Sequence, residues 1–204
     1  MPPHRGGWLE VVCGPMYSGK SEELIRRLRR AEIAGQKVLV VKAGFDDRYD
    51  VAHVVSHGGD RIRAVCADAE AVLRLAEGYD VVGIDELHFF EETAIVDVVL
   101  ELRARGRRVI VSGLDCDFRG KPFAAMARLL CHAELVDKLQ AVCHRCGGPA
   151  TRTQRLVDGQ PAPFAGPTIL VGALDAYEAR CSGCYEPGAG APSGVADLRV
   201  GSGG

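Results

Sequence analysis

An α/β fold, with a mostly parallel sheet and helices on its flanks, is what this sequence predicts, together with a small separate module late in the chain. Three observations carry that prediction. Short apolar runs alternate with helical stretches up to about residue 138, the pattern of parallel strands joined by right-handed crossovers. The stretch Gly14-Pro15-Met16-Tyr17-Ser18-Gly19-Lys20-Ser21 stands between one such run and one such helix. Two Cys-x-x-Cys pairs, Cys143/Cys146 and Cys181/Cys184, come after the helical periodicity has stopped.

The first run, Trp8 to Cys13, reads as a short buried strand. The stretch after it reads G-x-x-x-x-G-K-S, a phosphate-binding loop, and makes the fold of the P-loop NTPase type. Gly14 and Gly19 let the backbone curl so that successive N–H groups face an anion. The start of the following helix adds about half a positive charge to that cradle. Lys20 can reach the outer phosphates of ATP, and the Ser21 hydroxyl can ligate Mg²⁺. The helix runs from Ser21 to Ala34, with Leu24, Ile25 and Leu28 on its inner side and Arg26, Arg27, Arg29 and Arg30 mostly on the other.

Lys37 to Lys42 reads as the second strand, and Phe45 to Tyr49 as a polar loop. Val51 to Gly59 has no clear period, with a turn or connection at Gly58-Gly59. Ile62 to Val65 reads as a short strand, and Asp68 as the N-cap of a helix to about Glu77. Tyr79 to Glu86 is a buried strand that ends in two acids, Asp85 and Glu86. Glu91 to Arg105 is helical, with Ile95, Val98, Val99 and Leu102 on one face, and Arg108 to Gly113 is another buried strand. No internal repeat is visible.

The acidic strand end lies where ligand sites collect in parallel sheets. Adjacent strand residues face opposite ways, so the two acids do different work unless the strand ends between them. One can serve Mg²⁺, and the other can face an acceptor hydroxyl as a general base.

With 47% hydrophobic residues among 204, the chain can build a core. A net charge of −2 gives no basic footprint, so no nucleic-acid partner is expected. No apolar run approaches the roughly 20 residues of a membrane span, and Met1 to Gly7 lacks the apolar stretch of a secretory leader. A cytoplasmic location is the resulting expectation, and there eight cysteines read as thiols or metal ligands rather than disulfides.

Each Cys-x-x-Cys pair is a tight turn presenting two thiolates, and Cys143, Cys146, Cys181 and Cys184 together complete a closed, structural zinc site. A redox dithiol is the rival, but such a pair normally opens a helix in a βαβ unit and neither does. Cys13, Cys66, Cys116 and Cys131 read as core thiols. The expected organisation is an α/β nucleotide-binding domain over residues 8–138, a zinc-binding domain over 139–187, and a tail over 188–204 too rich in Gly, Ser and Pro to order itself.

Taken together, the loop G-P-M-Y-S-G-K-S, the loop D-D-R-Y, the strand end D-E-x-x-F-F, the stretch Gly113 to Phe123 and the two cysteine pairs resemble the type II thymidine kinases, the cellular cytosolic and bacterial enzymes with a zinc-bearing lasso domain. The resemblance covers about residues 8 to 186. It implies transfer of the γ-phosphate of ATP to the 5′-hydroxyl of thymidine or deoxyuridine, giving dTMP and ADP. Carried over by motif position, Lys20 and the loop amides of Gly14 to Ser21 bind phosphate, Ser21 and Asp85 serve Mg²⁺, and Glu86 is the base. Asp46 and Arg48 match a loop near the phosphates. Met16, Phe89, Leu114 and Phe118 match residues that enclose base and sugar, and Thr153, Leu170, Gly172 and Tyr177 match the lasso positions that close over thymine. The resemblance further implies a homotetramer and feedback inhibition by dTTP.

Two positions depart from the family pattern. His88 stands where the family usually has Gln, and Gly172-Ala173 where it usually has Gly-Gly. An imidazole at position 88 reads equally as a structural group or as a donor in the nucleoside pocket. The alternative function is that of another P-loop kinase or ATPase with a different acceptor. A zinc ribbon gripping nucleic acid is disfavoured, because the region lacks a basic patch with interleaved aromatics.

Overall fold

The computed structural model describes residues 6–44, 51–55, 58–166, 168 and 177–192. Those residues divide into two compact units. The first takes them up to Cys13, from Gly19 to Leu114 and from Ala124 to Lys138; the second takes Gly14–Ser18, Asp115–Phe123 and those from Leu139 on.

The first unit has the expected α/β class. In chain order it contains β1 (Trp8–Cys13), α1 (Lys20–Ile33), β2 (Val38–Ala43), β3 (Val51–Val55), β4 (Arg61–Ala67), α2 (Ala69–Leu75), β5 (Val81–Asp85), α3 (Glu92–Ala104), β6 (Arg108–Gly113), α4 (Ala124–His132) and β7 (Leu135–Lys138). The seven strands form one sheet in the order β3-β4-β2-β5-β6-β1-β7. Every pairing is parallel except β3 with β4 at one edge. The central strands are buried along almost their whole length, which is why they read as continuous apolar runs rather than alternating ones.

Helix α1 packs on this sheet through Leu24, Ile25, Leu28 and Ala31, against Val40, Val81 and Ile110. Each such large side chain contributes about 1.5–3 kcal/mol on burial. Gly83 of β5 makes room for the helix, since a Cβ there would stand 2.6 Å from Leu28 Cδ1. Helix α2 starts as its sequence predicts, with the Asp68 side chain accepting from the Ala71 N–H at 2.7 Å. It ends at Leu75, short of Glu77.

Several features differ from the sequence expectation. The aperiodic stretch after residue 50 contains β3, an edge strand whose Val55 is exposed. Helix α4 and strand β7 occupy a region where the sequence pattern points to no particular element. Arg27, expected on the outer side of α1, is only 6% exposed. Its guanidinium donates to Glu10 at 2.8 Å, to Glu23 at 2.8 Å and to Asp137, tying α1 to β1 and β7. Cys131, read as a core thiol, is exposed, while Cys13 is buried.

The second unit is built from short strands. β10 (Arg152–Val157) pairs antiparallel with β11 (Gln160–Pro161) and with β12 (Tyr177–Arg180), and β8 (Ala141–Val142) pairs with β9 (Pro149–Ala150). Asp158 and Gly159, both with positive φ, form the hairpin turn between β10 and β11. The apolar core here is small: Ala141, Cys143, Ala150 and Ala179, with Cys181 and Cys184 against it. Among the described residues, no helix is long and apolar enough to cross a membrane.

Candidate functional site

The phosphate-loop residues connect the end of β1 to the start of α1. Gly14 has φ 142° and Gly19 φ 81°, and between them Tyr17 is a non-glycine residue at φ 64°. A side chain at position 14 would meet the Leu139 carbonyl oxygen at 2.5 Å, so both space and dihedral demand glycine. The turn is braced from within: the Ser18 hydroxyl donates to the Pro15 carbonyl at 2.9 Å. In the second unit, the Met16 N–H donates to Thr153 Oγ1 at 3.1 Å. Thr153 lies on β10 and pairs with Ala179 of β12.

Lys20 and Ser21 open α1. The Ser21 hydroxyl lies 3.2 Å from Asp85 Oδ2 and 3.4 Å from Oδ1, so the helix start and the end of β5 converge. Asp85 is 3% exposed. Burial pushes its carboxyl up from the usual range, opposed by the nearby Ser112 hydroxyl, the Lys42 ammonium, the Glu86 N–H and Ser21. A carboxylate and a hydroxyl held this close form a hard oxygen donor pair of the kind Mg²⁺ takes.

The strand ends at Asp85. Glu86 leaves it with φ 52° and ψ 45°, and a single 3₁₀ turn, Leu87–Phe89, follows. Glu86 therefore does not continue the alternation of β5. Its half-exposed side chain lies 3.6 Å from Lys42 Nζ, and Lys42 pairs with Asp85 in the β2–β5 register. Partial burial pushes the Glu86 carboxyl up, Lys42 pulls it down, and the Asp85 charge pushes it up again. Lys42 was not singled out from the sequence. The available signal was a cation closing an apolar strand that neighbours the acidic one.

His88 is held by its ring. Its Nδ1 accepts from the Leu114 N–H at 3.2 Å, which leaves Nε2 to carry the proton of the neutral form. Burial, with the Lys20 charge behind it, pushes its pKa down to about 3. The Phe89 ring stands 4.3 Å from the imidazole, tilted by 41°.

The remaining nucleoside candidates lie in the second unit. Phe118 sits on the loop Asp115–Phe123, buried, with the Arg155 guanidinium 5.3 Å from its ring centre. Tyr177, the first residue of β12, pairs with Arg155 of β10. Asp46, Arg48, Leu170 and Gly172, and with them Ala173, lie outside the described residues.

Cys143, Cys146, Cys181 and Cys184 form one cluster, with all four sulfurs within 4.8 Å of one another. Cys146 Sγ and Cys181 Sγ are 3.7 Å apart. Zinc–sulfur bonds of about 2.3 Å give a tetrahedron with an edge of roughly 3.8 Å, so the spacing fits that ion. Backbone turns aim the thiols: Gly147 N–H donates to the Cys143 carbonyl and Cys184 N–H to that of Cys181. Burial raises the Cys143 thiol, but N–H groups of Cys181, Cys146 and Arg145 bring it down to about 6. His144 is exposed, with its Nε2 3.8 Å from a Glu178 carboxylate oxygen.

The structure of AMPPCP-bound DnaA from Aquifex aeolicus matches with a TM-score of 0.41 and 11% sequence identity, covering 68% of this chain and 42% of that one. The family described as thymidine kinase matches residues 7–185, which takes in both the phosphate loop and all four clustered cysteines. A match over that span places the chain in a family of kinases: it belongs to the thymidine kinase family.

Proposed function

We propose that the protein transfers the γ-phosphate of ATP to the 5′-hydroxyl of thymidine or deoxyuridine, giving dTMP or dUMP, respectively, and ADP. The observation that carries this reading is the convergence of Ser21 and Asp85 at 3.2 Å, with Glu86 turned out of the strand beside them. Lys20 and the N–H groups of Tyr17 to Ser21 hold the phosphates, and Ser21 and Asp85 would hold Mg²⁺, which would supply neutralisation of the phosphoryl charge. Glu86 accepts the 5′-hydroxyl proton as that oxygen bonds to the γ-phosphorus and the bond to the ADP oxygen breaks. Burial and the Asp85 charge push the Glu86 carboxyl up, as suits a group that takes a proton, and Lys42 opposes that shift toward the ionised form.

By the family resemblance, Phe89 and Leu114 of the first unit and Met16, Phe118, Thr153 and Tyr177 of the second match nucleoside-contacting positions. His88, fixed through Nδ1, acts as a neutral group at the pocket edge. The four cysteines hold a structural Zn²⁺ whose closed shell leaves no position for chemistry. A tetramer and dTTP feedback are what the family resemblance implies. The test is ADP formation with and without thymidine. Thymidine-dependent ADP with matching dTMP supports the reading. ADP formed equally without thymidine overturns it in favour of an ATPase or a kinase for another acceptor.

A further inference from the structure

We infer that the Tyr185 hydroxyl is a positioning group for nucleoside binding, fixing the Phe118 loop to the metal-bearing turn of the second unit. The inference rests on the proposed place of Phe118 in the nucleoside pocket. The loop Asp115–Phe123 shapes itself: Asp117 Oδ1 accepts from the Arg119 and Lys121 N–H groups at 2.9 and 3.0 Å, the Asp117 N–H donates to the Lys121 carbonyl at 2.8 Å, and Cys116 bridges to Pro122. None of these bonds says where in the second unit the loop sits.

Among the described residues its outward contacts include Arg119, which donates to Thr168 Oγ1 at 2.8 Å, Arg119 and Lys121 near the Phe164 ring, and Arg155 over the Phe118 ring. Another is the Tyr185 hydroxyl, which donates to the Phe118 carbonyl at 2.7 Å between two residues that are each 5% exposed. That contact is distinct because Tyr185 follows Cys184 directly, and its own N–H donates to the Cys181 carbonyl at 2.9 Å. The backbone that aims two thiols therefore also aims the phenol. A shift of that turn carries the phenol with it and, through the carbonyl, moves Phe118.

Tyr185→Phe removes one oxygen atom and leaves the packing of the ring intact. It also leaves the buried Phe118 carbonyl without this donor, a change that corresponds to about five- to tenfold in an equilibrium constant. The experiment uses the full metal-loaded chain and measures metal per chain, thymidine Kd by calorimetry, and kcat with KM for thymidine and for ATP. The expected result is a thymidine Kd and KM raised about five- to tenfold, with metal content, kcat and the KM for ATP at wild-type values. Unchanged thymidine Kd and KM overturn the inference. Loss of metal, or a fall in kcat at unchanged thymidine KM, also overturns it, because the phenol then serves only the fold. Wild-type protein that binds no thymidine overturns the functional reading and the inference with it, and is recognised before any variant is made.

Discussion

The two units reach the same end, side chains held in fixed places, by different physical means. In the first, a seven-stranded sheet buries Leu9, Val11, Val82, Ile84, Ile110 and Val111 completely, and its helices cover it with large aliphatic side chains. Ser21 and Asp85 meet because a helix start and a strand end are rigid. In the second, the buried apolar residues are mostly alanines, and placement falls to four clustered thiols, the Tyr185–Phe118 bond and the reciprocal bonds between Gln154 and Glu186. Area burial stabilises one unit; a prospective metal and a few directed bonds stabilise the other.

Metal removal exposes that difference most strongly. A structural zinc site contributes on the order of 10 kcal/mol to the fold that holds it. Chelation is expected to abolish amide protection in β8, β9 and β12 while β1, β5 and β6 remain protected, as read by hydrogen exchange. Equal protection of the second unit without metal breaks the contrast.

Arg27 tests the first unit from within. Arg27→Met leaves the buried Glu10 with Arg108 as its remaining cation and takes the partner from half-exposed Asp137, and is expected to cost about 1–3 kcal/mol of stability. Denaturant unfolding should show that loss with the metal content unchanged. A stability within about 0.5 kcal/mol of wild type shows that apolar packing alone holds α1 to the sheet.

His88 gives the smallest effect. Its pKa is about 3 in the fold against 6.5 as the ordinary value, so the unfolded chain binds more protons between those values. The contribution is fully present above about pH 6.5 and is lost as pH falls toward about 3, with a slope of at most about 1.4 kcal/mol per pH unit. Unfolding of the wild type and His88→Gln at pH 7 and pH 5 should therefore converge at the lower value relative to the higher. A constant difference across that window contradicts the buried neutral imidazole.

Much of the first unit was legible because its elements carry local signals. Buried strands of a parallel sheet are apolar runs, Asp68 announces its helix, and the phosphate loop has a spacing dictated by the anion it wraps. Strand β3 was not legible, since an edge strand with one open side needs little apolar pattern. Nor was the burial of Arg27: its partners Glu10 and Asp137 are distant in sequence, and a cation on a helix reads as solvated unless they are known. At the candidate site, the Ser21–Asp85 meeting could be anticipated from motif logic, whereas Lys42 and Tyr185 act through long-range contacts that carry no motif. Gly14–Ser18 and Asp115–Phe123 group with the second unit for the same reason.

The central claim is that the acids at the end of β5 divide their labour, Asp85 for the metal and Glu86 for the proton. Steady-state turnover of Asp85→Asn and Glu86→Gln across a Mg²⁺ titration tests it most directly. Glu86→Gln is expected to bind both substrates and to lose about 10²–10⁴-fold in kcat at every Mg²⁺ concentration. Asp85→Asn is expected to regain part of its activity as Mg²⁺ rises. Rescue of Glu86→Gln by magnesium with none for Asp85→Asn reverses the two roles, and full activity in both variants contradicts the account.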